Sequence, residues 1–213
     1  MNVFRMTLGA FAAGLVVSCS TVYYSTLERF GVDKRDILVD RVEEARDQQG
    51  ETRDQFVSTL DAFKALTGFD GGELEDQYDE LKSRHDDAED DAKAVRERIK
   101  SIEKVAEDLF EEWEEEALEI NDTGLRRQSR DLLQQTNERY QGMIAAMHRA
   151  EAKMGPVLTQ FRDQVLFLKH NLNARAVASL DTQLGVINSG VESLIEEMEA
   201  SIAEADRFIA DLD

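Results

Sequence analysis

The sequence predicts an all-α fold, an elongated antiparallel bundle of four long helices, and three observations predict it. A chain of 213 residues with one proline, 33% charged and 7% aromatic residues favours long helices over strands and turns. Apolar residues recur in alternating steps of four and three over several long stretches, the spacing that places them on one helical stripe. Glycine- or asparagine-bearing breaks separate those stretches.

The first helix is expected over 33–66. Asp33 suits a cap and Asp36 its first turn. Its stripe runs Leu38, Val42, Ala45, Gln49, Thr52, Phe56, Thr59, Phe63, Leu66. Thr67 to Gly72, with three glycines, ends it as a turn. It lacks the Gly-Lys-Ser/Thr ending of a phosphate-binding loop. The second helix, 73–119, carries an unbroken stripe from Leu74 through Tyr78, Leu81, His85, Ala88, Ala92, Val95, Ile99, Ile102, Ala106 and Leu109 to Trp113. At ~1.5 Å per residue such a rod reaches about 70 Å and cannot bury its stripe alone.

Asn121 to Gly124 ends the second helix, and a third is expected over 125–172. Its stripe is read as Leu125, Leu132, Thr136, Tyr140, Met143, Met147, Ala150, Met154, Val157, Phe161, Val165, Leu168 and Leu172. Extra steps of four near Thr136–Tyr140 and Phe161–Val165 predict two stutters, and Gly155-Pro156 predicts a kink. The fourth helix, 176–212, follows two asparagines suited to helix ends. It carries Leu180, Leu184, Ile187, Val191, Leu194, Met198, Ile202, Ala205, Ile209 and Leu212.

Charge constrains both partners and packing. The chain has 25 basic and 45 acidic side chains, net −20, which disfavours binding to phosphate backbones or to an anionic membrane surface. Within it, 73–119 has 7 basic and 20 acidic residues, 125–172 has 8 and 4, and 176–213 has 1 and 9. The third helix is therefore the cationic one and is expected between its two acidic chain neighbours. The acidic run Glu111 to Glu119 is expected to be offset by Arg126, Arg127 and Arg130 across the hairpin. No EF-hand pattern supports a calcium site there.

The N-terminus carries the location signal. Met1 to Arg5 is short and cationic, Met6 to Val17 is apolar but too short to span a bilayer, and Val16-Val17-Ser18-Cys19 resembles a bacterial lipoprotein processing site. The expected organisation is a signal peptide over 1–18, a lipid anchor and tether over 19–32, and a helical domain over 33–213. Cys19, the only cysteine, is the expected lipidation site and excludes an intrachain disulfide. Ser20 after the cysteine points to the outer membrane, periplasmic side.

No nucleophile motif or triad stands out, so no catalytic residues and no enzyme activity are expected. His85 reads as a polar core residue that sets register. His148 and His170 lie far from it in sequence, and neither a metal site nor a cofactor is expected. Lys169, His170, Asn171, Asn173 and Arg175 form a polar, cationic corner between the third and fourth helices. This is the candidate partner-binding tip, at the end of the bundle shared with the Gly68–Gly72 turn.

"VDKRDILVDRVEEARD" at 32–47, "FDGGELE" at 69–75 and "FRDQVLFLKHNLNARAVASL" at 161–180 resemble an uncharacterised bacterial family, catalogued as domain of unknown function 2959. The resemblance implies a Gram-negative source and a helical envelope protein, and supplies no catalytic residues. The expected function is a lipid-anchored envelope scaffold or adaptor with an unidentified protein partner, no nucleic acid, and heptad faces that allow homo-oligomerisation. The alternatives are a soluble cytoplasmic helical protein with a nucleic-acid accessory role and a cation-responsive envelope stress sensor.

Overall fold

The computed structural model describes residues 33–68 and 73–212. The expected leader, the tether, Cys19 and the glycines of the first turn at 71 and 72 lie outside them. Contacts divide the chain after Asp33, and the unit described here begins at Lys34. It consists of α1 (Lys34–Thr67), α2 (Leu74–Glu119), α3 (Thr123–His170) and α4 (Ala174–Leu212). Among the described residues there is no strand.

Each helix packs against its chain neighbours, and α1 closes the ring against α4. The cross-helix ion pairs fix the register. Lys34 meets Glu112 at 2.9 Å, and Arg98 reaches Glu44, so α1 and α2 run antiparallel. Arg96–Glu151 and Glu103–His148 join α2 to α3, and Arg139–Asp211 and Arg149–Glu197 join α3 to α4. Arg46–Asp206 joins α1 to α4. In the α3–α4 pairs α3 supplies the cation, as the charge segregation predicts. Exposed pairs of this kind are worth only about 0–1 kcal/mol each, so they select neighbours and register while the buried stripes stabilise.

All nine stripe residues expected in α1 are buried, and so is the α2 stripe from Leu81 to Ala106. Aromatic contacts fill both halves of the core: Phe63 against Phe161 toward one end, and Tyr140 against Phe110 and Phe208 toward the other. Between them alanines, among them Ala45, Ala88, Ala92, Ala146, Ala150 and Ala205, alternate with large side chains such as Phe56, Ile99, Ile102, Met147 and Met154, all buried. In α4 the buried edge also takes in Ser201 and Phe208, beside the expected Met198, Ala205 and Ile209.

The α3 stripe differs from the expectation. Leu125 and Leu132 are exposed, and the seam instead passes through the half-buried Arg126, Ser129 and Leu133 into Thr136 and Tyr140. The cause is helix length. Lys34 begins α1 at the level of Glu112, and α4 ends near Arg139, so beyond those points α2 is the only described helix beside α3. The direction that buries side chains then rotates by one residue, ~100°, toward α2. Read through Leu133, the steps 133–136–140 are regular and the first expected stutter disappears. The second, Val157–Phe161–Val165, remains.

α3 continues through Pro156 without a break. Pro156 and Ala152, whose carbonyl loses its usual donor, are both exposed, so water can take that bond and the interior proline is tolerated. The helix ends also shift from the expected limits. Asp122 Oδ1 accepts from the Gly124 and Leu125 amides at 2.8 and 2.9 Å and starts α3 at Thr123. Asn171 closes α3, its amide donating to Leu168 O at 3.0 Å, so Leu172 lies beyond the helix.

Among the described residues, two core polar residues lack hydrogen-bond partners. Gln49 is fully buried, and neither atom of its carboxamide has a hydrogen-bond partner; the buried Ser201 hydroxyl likewise has none. Leaving such groups desolvated costs about 1–3 kcal/mol each, whereas an apolar residue of similar shape pays no such penalty. Gln49→Leu is therefore expected to raise stability by about 1–3 kcal/mol in chemical denaturation. An unchanged or lowered midpoint would mean that the carboxamide is satisfied in solution.

Candidate functional site

The candidate tip assembles at the α3–α4 corner, the end of the bundle opposite Lys34. The two asparagines serve the backbone. Asn171 Nδ2 donates to Phe167 O at 2.9 Å, and Asn173 Oδ1 accepts from the Arg175 and Ala176 amides at 3.1 Å, capping α4. Lys169, His170 and Arg175 are exposed, and among the described residues none of them makes an ion pair. Lys169 and His170 sit in the last turn of α3, where the helix dipole favours cations. Sequence reasoning missed the apolar part of this corner: Leu166 and Phe167 are 54% and 42% exposed. The signal was present in "VLFL", since four consecutive apolar residues cannot all lie on one helical stripe.

A second concave feature lies at the other end, where α2 and α3 extend beyond their neighbours. A cleft of about 550 Å³ is lined by Glu114 of α2 and by Thr123, Arg126, Arg127, Arg130 and Gln134 of α3. The expected ion pairs between the Glu111–Glu119 run and the three arginines do not form. Instead Arg126 Nε donates to Ile120 O at 2.9 Å, and Trp113 Nε1 donates to Ser129 Oγ at 3.0 Å. The glutamates are adverse to the dipole at the end of α2, which has no base in its last turn, and Arg126 is adverse in the first turn of α3, where the capping Asp122 carboxylate supplies the favourable charge. Compensation comes from the neighbour: the glutamates lie beside the positive end of α3, and Arg126 caps the carbonyl end of α2.

His85, 3% exposed, lies in the core as expected. Its Nε2 lies 3.3 Å from Leu158 O and 3.7 Å from Glu89, and Nδ1 lies 3.5 Å from Asp86. His85, Asp86 and Glu89 thus offer three ligand atoms in one place. Donation from Nε2 to the Leu158 carbonyl ties α2 to α3 and leaves the neutral ring's lone pair on Nδ1, beside Asp86. Lys82, 2.6 Å from Asp86, holds the Asp86 carboxyl below the usual carboxylate range. Asp91 is pushed the other way, first by burial and then by Glu51, Asp87 and Asp90. Burial, with help from Glu103 and Glu107, pushes the Tyr140 phenol up to about 12.

A family model described as a protein of unknown function, DUF2959, matches residues 23–212. The chain belongs to the DUF2959 family. No curated protein and no solved structure matches it. Family membership therefore fixes an uncharacterised, all-helical class for this DUF2959 chain and assigns no residue a role.

The raised Asp91 yields a pH prediction for this DUF2959 protein. A folded pKa above the unfolded one means that this group favours folding only at low pH, and that the benefit is lost as pH rises through the folded value. Asp91→Asn should therefore stabilise the protein at pH 7 by about 0.5 kcal/mol, the scale of a like-charge helix contact, with the gain vanishing below about pH 4. Urea unfolding at the two pH values reads the difference.

Proposed function

We propose that this DUF2959 protein is a lipid-anchored scaffold or adaptor of the Gram-negative envelope, without catalytic activity, that offers its α3–α4 corner to a protein partner. The observation that carries the reading is the exposed pair Leu166 and Phe167 beside Lys169, His170 and Arg175. Apolar side chains rimmed by cations make a surface suited to an acidic, amphipathic protein segment. The corner lies at the far end of the bundle from Lys34, where the chain enters α1. A partner held there is presented away from the start of the domain.

The anchor rests on the apolar run that ends at Cys19. Among the described residues no helix is long and apolar enough to cross a membrane, so a lipid on Cys19 would supply the attachment. The net charge of −20 supports a protein partner over a nucleic acid.

Two experiments test the proposal. Mass spectrometry of the mature chain should find Cys19 as a lipidated first residue, and Cys19→Ser should release the protein from the membrane fraction. An unprocessed Met1 in the cytoplasm would favour the cytoplasmic alternative. In-cell crosslinking of the wild type should capture a defined protein, and the triple variant Phe167→Ser, Lys169→Glu, Arg175→Glu should lose it. Capture unchanged by those substitutions would remove the corner from the account.

A further inference from the structure

The α2–α3 hairpin end carries a second pattern, on the face turned away from the bundle core. On α2, Glu111, Glu115 and Leu118 step by four and three, and Leu118 is 60% exposed. On α3, Thr123, Arg127, Arg130 and Gln134 step by four, three and four, and all four are exposed. Each is a heptad-type stripe pointing outward, and none of the described helices covers it. One stripe is acidic and the other basic. Among the described residues neither Arg127 and Arg130 nor Glu111, Glu114 and Glu115 make an ion pair, although the two helices are adjacent.

We infer that this face is a homodimerisation surface whose occupant is the same face of a second copy. A two-fold axis parallel to the helices turns one hairpin over onto the other with their tips at the same end. It sets α2 of each copy against α3 of the other, in antiparallel register. The glutamates of each copy then meet Arg127 and Arg130 of its partner, and Leu118 of each seats at the mouth of the cleft between Thr123 and Arg130. The alternative axis, perpendicular to the helices, would set glutamates against glutamates and arginines against arginines. Charge complementarity therefore selects both the occupant and the symmetry.

The tips become a four-helix arrangement of alternating acidic and basic helices, built from two hairpins that have no other described helix beside them at this end. The arrangement also gives Arg127 and Arg130 partners that the hairpin itself does not supply, while Arg126 stays on the Ile120 carbonyl. The inference does not depend on the anchor or on the α3–α4 corner, which lies at the opposite end of the bundle.

The test is a charge swap on the full-length chain. Two differently tagged copies are co-expressed, crosslinked in the cell and purified through one tag. The wild type should co-purify with itself. A variant with Arg127→Glu and Arg130→Glu, and a variant with Glu111→Lys and Glu115→Lys, should each lose self-association by about tenfold or more. Mixed together, the two variants restore both symmetric contacts and should pair as well as the wild type. All four positions are exposed, and circular dichroism checks helicity. The neutral pair Arg127→Gln, Arg130→Gln, which should weaken self-association without gaining rescue, serves if a reversal costs folding. Wild-type chains that never co-purify, variants that associate unchanged, or a mixed pair no better than either variant alone would overturn the inference. None of those results bears on Cys19 or on capture through Phe167.

Discussion

A helix of 46 or 48 residues carries an apolar stripe far longer than it can shelter, and the fold is set by how that stripe finds neighbours. α2 and α3 provide the two longest stripes, and α1 and α4, at 34 and 39 residues, cover only part of them. Where all four helices run side by side, the core is continuous from Phe63 and Phe161 to Tyr140 and Phe208. Where α1 and α4 stop, burial thins abruptly: α3 has no buried residue before Thr136, and α2 has one, Ala117, beyond Ala106. The protruding hairpin is thus a consequence of unequal helix lengths.

That inequality organises the electrostatics as well. Inside the bundle, cations on α3 meet carboxylates on α4, and these contacts choose which helices adjoin. In the hairpin the same sorting of charge persists without the same pairing. Acid accumulates at the carbonyl end of α2 and base at the amide end of α3, each adverse to its own helix. The pattern is tolerable because the two ends lie side by side, and it leaves a strongly two-signed surface facing outward. At the other end, the asparagine caps hold a sharp corner and leave Leu166, Phe167, Lys169 and Arg175 turned to solvent.

The period of the apolar residues made most of the fold legible. Leu38 to Leu66 and Leu81 to Ala106 were readable residue by residue, because four-and-three spacing maps directly onto a buried face. What the period could not reveal was where neighbours end. Leu125 and Leu132 continue the core-facing stripe in sequence, yet none of the described helices covers them, and Arg126, Ser129 and Leu133 are the half-buried positions on the side of α2. The same blindness applied to Arg126, whose partner is a main-chain carbonyl and not one of the six nearby glutamates. Of the candidate corner, the sequence located the cations and the capping asparagines, but the apolar component needed the helix phase. Cys19 lies outside the described residues, so its role rests on the sequence pattern.

The central structural claim is a cooperative four-helix section that continues into a two-helix arm. Amide hydrogen exchange on dilute protein tests it most directly, since local opening free energies follow the density of buried contacts. Residues 85–106 and 140–165 should exchange together and slowest, and residues 113–134 should exchange markedly faster. Protection in the arm equal to that of the four-helix section, at concentrations where the chain is monomeric, would contradict the account.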